Sequence, residues 1–390
     1  MPSYISSRNN RVYAAVEGAY GVIPPVGNAR RVPILSFAVK SETIVPLRRD
    51  KTGTRSQPAL ASPLRKETTF LLSAYHTSWL PSTNNPSCSA LVEASLGDGP
   101  KIFSGGVVES IPSPQRVKFV TPHQLGVGQG ISYGGELRFV AQLVDEVTVE
   151  LNCPFSASPT PGSQIGPTTS FLPAAKLPSV SIFDYWSPDS AVQRIVYGAV
   201  VEAMKISVNG DFHELEFRGR AADVIDSASF VSGQGGLSSY PVEPAIASYT
   251  SQPVPGHLGQ AWLGAPAEQF FTVTAAEIVV RNGIEMRNRE FGSITPRGFG
   301  LGPREVTMKL ALYSQDDTAT RMLYQAARQR SPIQVMFQLG QQSGQLMGVM
   351  LKSVIAEAPQ YDDQESRLKW VFSNMTAHGL TEDEICVAFG

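Results

Sequence analysis

Cysteine is scarce in this sequence. Three residues in 390, Cys88, Cys153 and Cys386, stand far apart, with no CxxC pair and no histidine at ligand spacing. That pattern argues against a disulfide framework and against a zinc site, and reduced thiols are the expectation. Charge is sparse as well: 17% of residues, with the two signs nearly cancelling at a net −2. A general nucleic-acid binder or a protein held on an acidic membrane is therefore not expected. No run of eighteen apolar residues occurs, and the opening MPSYISSRNNRVYAAVEGAYG lacks the apolar core of a secretory signal, so neither a spanning helix nor export is expected. The five histidines, His76, His123, His213, His257 and His378, fall in no spacing that makes a metal or nucleophile constellation.

Glycine and proline, by contrast, are abundant, and Thr, Val, Ser and aromatics recur in short alternating runs. The composition predicts a mainly β protein. ELRFVAQLVDEVTVEL, Glu136 to Leu151, reads as one half-buried strand, with Phe139, Ala141, Leu143, Val147, Val149 and Leu151 on one side and Asp145 the misfit among them. Similar alternation predicts strands over 34–40, 68–76, 199–208, 212–219, 271–281, 306–313, 332–339, 345–356 and 367–375. Two Pro-, Gly- and Ser-rich stretches, 154–179 and 230–260, read as a long loop or insertion and a linker. A boundary in the second divides the chain into 1–229 and 261–390. Helices are expected over Ser314–Arg330, with Leu323, Ala326 and Ala327 on one stripe, and over Asn85–Gly97, capped by Ser87 or Ser89.

A repeat runs through the chain. KETTFLLSAY (Lys66–Tyr75) aligns without gaps on REVTMKLALY (Arg304–Tyr313), each preceded by a long basic arm and followed by a helix. YGAVVEAMKI (Tyr197–Ile206) resembles MGVMLKSVIA (Met347–Ala356), and HELEFRGRA (His213–Ala221) and SRLKWVFSN (Ser366–Asn374) follow them as second strands of hairpins. The shared order suggests a duplicated β-module.

Chemistry-bearing motifs are weak. The GxGxG string in TPHQLGVGQGISYGG precedes a strand rather than a helix and reads as a turn-rich loop. Glu382, Asp383 and Glu384 beside His378 read as a solvated segment, and nothing specifies a cation. No cofactor, metal or catalytic site is expected, and Trp79, Trp186, Trp262 and Trp370 read as packing residues. The arms are the remaining anomaly. Arg48, Arg49, Lys51, Arg55, Arg65 and Lys66 surround Thr52 in the first; Arg287, Arg289, Arg297 and Arg304 flank glycines in the second. Long loops repeated at one structural position are usually functional, and a partner surface accounts for both.

Taken together, VEGAYGVIPPVGNARRVPILSFAVKSE, the KTGTRS arm, KETTFLLSAY, a short helix ending in LG, and VYGAVVEAMKISVNGDFHELEFRGRAAD resemble bacteriophage tail tube proteins in order and pattern, over about Val16 to Ala377. The 154–179 and 230–260 stretches depart from that pattern. What the resemblance implies is two tandem tail-tube-like β-sandwich or barrel modules, each with a flanking α-helix and a long stacking hairpin arm. Copies would form stacked rings around a channel for DNA and the internal tape-measure protein, meeting tail tip and terminator proteins at the ends. The rings would be pseudo-hexameric trimers if each chain holds two modules and hexamers if it holds one. The virion tail, assembled in the host cytoplasm, would be its location. The arms, through Arg48, Arg49, Lys51, Thr52, Arg55, Arg65, Arg287, Arg289, Arg297 and Arg304, would reach the next ring. The channel wall would be neutral to acidic, with Glu146 and Glu150 as candidate lining residues. Alternatives are a distal tail or terminator protein of the same fold group, an outer-membrane β-barrel, or a carbohydrate-binding β-sandwich.

Overall fold

In the computed structural model, which describes residues 4–56, 60, 62–186, 191–245 and 251–390, β-strands follow the alternation of the sequence. The first half opens with β1 (Arg11–Val16), β2 (Arg30–Val32), β3 (Ile34–Thr43) and β4 (Lys66–Tyr75), then α1 (Ser89–Leu96). Eight short strands follow: β5 (Lys101–Phe103), β6 (Gly106–Ser113), β7 (Arg116–Phe119), β8 (Gly130–Tyr133), β9 (Glu136–Leu143), β10 (Thr148–Leu151), β11 (Gln164–Ile165) and β12 (Thr168–Phe171). The half ends with β13 (Val180–Tyr185), β14 (Arg194–Val208), β15 (Glu214–Ala221) and β16 (Asp223–Asp226). The second half has β17 (Gly259–Gly264), β18 (Ala267–Phe270), β19 (Val273–Arg281), β20 (Ile284–Met286), β21 (Phe299–Leu301), β22 (Glu305–Tyr313) and α2 (Thr318–Gln329). It closes with β23 (Ile333–Leu339), β24 (Met347–Ala356), β25 (Gln360–Asp362), β26 (Lys369–Ala377) and β27 (Cys386–Phe389).

One antiparallel pairing scheme occurs in both halves. In the first, β1 lies between β2 and β13, β13 joins β14, β14 takes β16 and β15, and β15 leads through β4 to β3. In the second, β17 lies between β18 and β23, β23 joins β24, β24 takes β27 and β26, and β26 leads through β22 to β19. The bulges agree as well. The β3–β4 ladder slips after Ile34 and the β19–β22 ladder after Val273, which sets Lys66 level with Arg304, as the gapless alignment had it. The β13–β14 ladder slips after Val180 and the β23–β24 ladder after Ile333, which sets Ala199 level with Val354 and not, as that alignment had it, with Val349. Phe217 opposite Leu72 matches Phe372 opposite Leu310.

β14 is long enough to serve two layers. It bends at Gly198 (φ +57), where a Cβ would stand 2.7 Å from that of Ala222, and its two ends join different ladders. Beyond the bend, Ala203–Val208 also pairs with β19, Ala203 opposite Arg281 through Val208 opposite Ala276. The two halves thereby share one antiparallel sheet, in the order β3-β4-β15-β14-β19-β22-β26-β24. A single apolar cluster runs beneath it through both halves, from Val12 and Leu72 to Ile278, Leu310 and Phe389.

The helices differ in burial. α2 is amphipathic: Asp317 caps it by accepting from the Thr320 N–H at 2.6 Å, Leu323 and Ala327 are buried, and Ala326 is partly buried against the core. α1 is buried almost all round, packed among β1, β12, β13 and β14, with residues 172–177 closing its C-terminal end; the Ala174 N–H donates to Leu96 O at 2.8 Å. Its cap is Cys88 rather than Ser87 or Ser89, with no side-chain bond to the helix.

The strand expected over Glu136–Leu151 is two strands. β9 and β10 form a hairpin, and the misfit Asp145 sits in its turn, accepting from the Val147 N–H at 2.9 Å. They belong to a six-stranded sheet, β11-β6-β7-β10-β9-β8, with its own core around Phe103, Val108, Phe119 and Val149. The insertion is therefore larger than the Pro-rich stretch 154–179, which itself carries β11 and β12. It is seated on the second half. Fully buried Arg138 donates to Pro154 O (2.8 Å), Glu136 Oε2 (2.9 Å), Gln260 Oε1 (3.0 Å) and Gln338 Oε1 (3.3 Å), between the rings of Phe155 and Trp262. β12 pairs with β27 next to it. Residues 230–245 of the expected linker lie against the body: Glu243 accepts from Arg11 and, at 3.1 Å, from the Tyr13 hydroxyl, and Phe230 and Tyr240 pack edge-on.

Candidate assembly surfaces

The side chains of the shared sheet alternate between the apolar cluster and an uncovered face. On that face, following the ladders, stand Lys40, Lys205, Arg218, Arg220, Arg281, Lys309 and Lys369, with Glu42, Glu67, Glu202, Glu214, Glu216, Glu277 and Glu305. With Asp362 of β25 opposite Lys369, the acids outnumber the bases by one, and most of the charges are paired across strands. Lys205 meets Glu216 at 3.3 Å, Arg220 meets Glu67 at 3.0 Å and Glu202 at 3.8 Å, Lys309 meets Glu277 at 3.5 Å, and Arg281 meets Glu305 at 3.9 Å. Such exposed pairs contribute about 0–1 kcal/mol each, so their main effect is on the field above the sheet, which they hold near neutral.

Both borders of the sheet are open among the described residues. β3 pairs only with β4, and β25 only with β26. Proline at 359 and the shortness of β25 blunt one border.

The two arms differ. The second is a ribbon, β20 paired with β21, whose Ile284 and Met286 are buried with Leu177 and Val200 of the first half, while Phe299 meets Tyr20 at 5.8 Å. Among its described residues the first forms no strand between Ile44 and Arg65; residues 57–59 and 61 lie outside the described residues. Its base is closed by Ile44 N–H donating to Arg65 O at 2.7 Å, and the second arm reaches it: Lys66 N–H donates to Ile294 O at 2.9 Å and Arg65 to Arg289 O at 3.2 Å.

The arm residues singled out in the sequence spread over these surfaces. Arg48 pairs with Asp50, and hydrogen bonding to Arg48 holds that carboxyl below its ordinary value; Thr52 donates to Thr54 O at 3.2 Å. Arg49, Lys51 and Arg55 are exposed on the same arm. Arg287 meets Glu290, and Arg297 donates to Gly292 O at 3.2 Å. Arg304 is placed differently. It is mostly shielded at the base of β22, donating to Glu382 (2.6 Å), Glu384 (2.8 Å) and Ala174 O. The acidic segment near His378 thus has its partners inside the chain, Asp383 included, whose carboxyl is held down by Lys352 at 2.6 Å. Lys66, level with Arg304, meets Asp223 at 2.8 Å. Glu150 meets Arg116 at 2.8 Å and Glu146 sits in the β9–β10 turn, both in the insertion's sheet and away from the shared one. The seam between β14 and β19 had no signal in either arm; alternation in both strands, read with the repeat, was the available clue. Among the described residues no group of three His, Cys, Asp or Glu could hold a metal ion, and no helix is long and apolar enough to cross a membrane.

A sheet shared by two like halves, uncovered on one face and open at both borders, defines a β-structural subunit rather than a protein built around a pocket. The chain matches the phage tail tube protein family over residues 7–367 and belongs to it. No curated protein matches. Among solved structures, the SPP1 tail tube, determined by solid-state NMR and cryo EM, is 13% identical, with 35% of this chain and 80% of that chain covered and a TM-score of 0.28; the assignment rests on the family match. The protein is a structural component of a phage tail.

Proposed function

We propose that the chain carries two tandem tube modules, residues 1–229 and 261–390 joined through 230–260, and that three copies close into a ring of six similar modules. Rings stack into the tail tube through which DNA passes. The observation that supports this most is the β14–β19 seam, which joins two like halves edge to edge as a ring would join its members. We assign the bore to the uncovered face of the shared sheet. Its paired charges leave few free cations to neutralise phosphates, so DNA slides without the counterion release that would retain it. The insertion then lies outside the bore with Glu146 and Glu150, and a density map that places it inside would return those two residues to the wall.

The arm tips, with Arg48, Arg49, Lys51, Thr52, Arg55, Arg65, Arg287, Arg289 and Arg297, serve contacts between rings, while Arg304 anchors its arm. Tail tip, terminator and tape-measure proteins are the partners at the ends and in the bore, and assembly takes place in the host cytoplasm. The role is structural and needs no catalytic site or cofactor. Negative-stain imaging of the purified protein tests the proposal: stacked rings with a central hole support it, single rings that never stack point to a terminator or distal tail role, and a lasting monomer refutes it.

A further inference from the structure

The internal seam supplies a register that the open borders can be measured against. Matching ladders run across both halves. The row Ser207, Glu214, Tyr75 corresponds to Asp362, Lys369, Tyr313, and the row Ile206, Leu215, Ala74 to Tyr361, Trp370, Leu312. β25 therefore occupies the place that the far end of β14 holds in the first half. On the other side, Val39 opposite Phe70 corresponds to Ile278 opposite Met308, and Lys40 opposite Thr69 to Val279 opposite Thr307. At the internal seam Ile206 faces Ile278 and Lys205 faces Val279.

We infer that neighbouring copies meet along β25 of one and β3 of the next, with Gln360 opposite Lys40, Tyr361 opposite Val39 and Asp362 opposite Ala38. The base of the first arm then lies over the neighbour, with Val45 and Leu47 in the places of Ile284 and Met286. This rests on the ring reading above and adds the contact surface, its register and its occupant, a second copy of this chain.

Burial is the argument. Ile206 and Ile278 are fully buried, whereas their counterparts are Tyr361, 59% exposed, and Val39, only partly buried. Counting on from Arg281 and its counterpart Glu42, Ile284 corresponds to Val45 and Met286 to Leu47. The first pair is 8% exposed each; Val45 and Leu47 are 64% and 73% exposed. Val200, covered by the second arm, corresponds to Ile355, which is partly exposed. Apolar residues thus stand uncovered at the sites that the internal seam covers, and a like module is the shape that fits them. Charge agrees, since Lys40 and Asp362 would stand diagonally across the new ladder on one face.

A double variant, Val39→Cys with Tyr361→Cys, tests the register. The native thiols do not interfere: burial pushes Cys88, Cys153 and Cys386 up to about 12. Under mild oxidation of assembled protein, the pair should give covalent multimers about tenfold faster than Val39→Cys with Gln360→Cys, whose side chains point to opposite faces. Tubes seen by electron microscopy without this preference overturn the seam and leave the tube standing. Absence of rings in the unmodified protein overturns the tube reading and the seam with it. In parallel, Leu47→Asp should abolish rings while leaving the monomer's circular dichroism unchanged, and rings formed as readily as by the unmodified protein overturn the arm contact.

Discussion

The second arm and the first begin at matching points of matching ladders, yet Ile284 and Met286 are buried while Val45 and Leu47 stand in solvent. The chemistry of the four positions is alike, so the difference lies in what is beside them. The second arm has Leu177 and Val200 of the first half next to it, because the chain itself supplies them. α1 and α2 differ in the same way: α1 has no exposed face because β1, β12, β13 and β14 pack around it, and α2 has kept its own. Repetition in sequence fixes the ladder a residue belongs to, and the neighbour decides whether it is covered.

The largest expected effect separates the seams most sharply. Ile278→Asp places a carboxylate in the closed seam and should destabilise the monomer by about 4 kcal/mol or more, or prevent folding. Val39→Asp, at the open border where Val39 is only partly buried, should cost the monomer about 1–2 kcal/mol and fail chiefly in assembly. Equal losses in urea unfolding would break the comparison. Next comes pH. His76 is fully buried with its ring on Gln345 O at 2.8 Å, and burial pulls its pKa from 6.5 down to about 4. The unfolded chain takes up the proton first, so stability present above pH 6.5 should fall as pH drops towards 4, by roughly 3 kcal/mol from this group. Unfolding followed across that window in the unmodified protein and in His76→Gln should show a shallower slope in the variant.

Smaller still, Met286→Ala should cost the monomer about 2 kcal/mol, and Leu47→Ala less than about 0.5 kcal/mol. Thermal unfolding of the two variants compares the arms directly. Least of all, Lys309→Gln removes one exposed cross-strand partner and should change stability by under about 1 kcal/mol. Its visible consequence should be a slightly more acidic sheet face, read as weaker retention of the protein on a cation exchanger.

Much of this frame was legible. Lys66–Tyr75 and Arg304–Tyr313 aligned without a gap because both strands run unbroken, and α2 announced itself through Asp317 and the Leu323–Ala327 stripe. The Tyr197–Ile206 match found the right elements in the wrong register, because both strands are near-continuous apolar runs in which several registers match about equally well. Glu136–Leu151 failed for a local reason: Asp145 could turn the chain with its own side chain, and the apolar alternation resumed after the turn. Arg304 looked like its arm neighbours, but its acidic partners lie about eighty positions downstream at Glu382 and Glu384. The shared sheet was out of reach for a similar reason, since β14 meets β19 across the whole 230–260 stretch.

A rotational average of the assembled ring tests the central claim most directly. Two modules per chain and an outer seam that copies the inner one predict threefold symmetry with six similar lobes around a hole. Six chains per ring, or three lobes with no internal likeness, would contradict it.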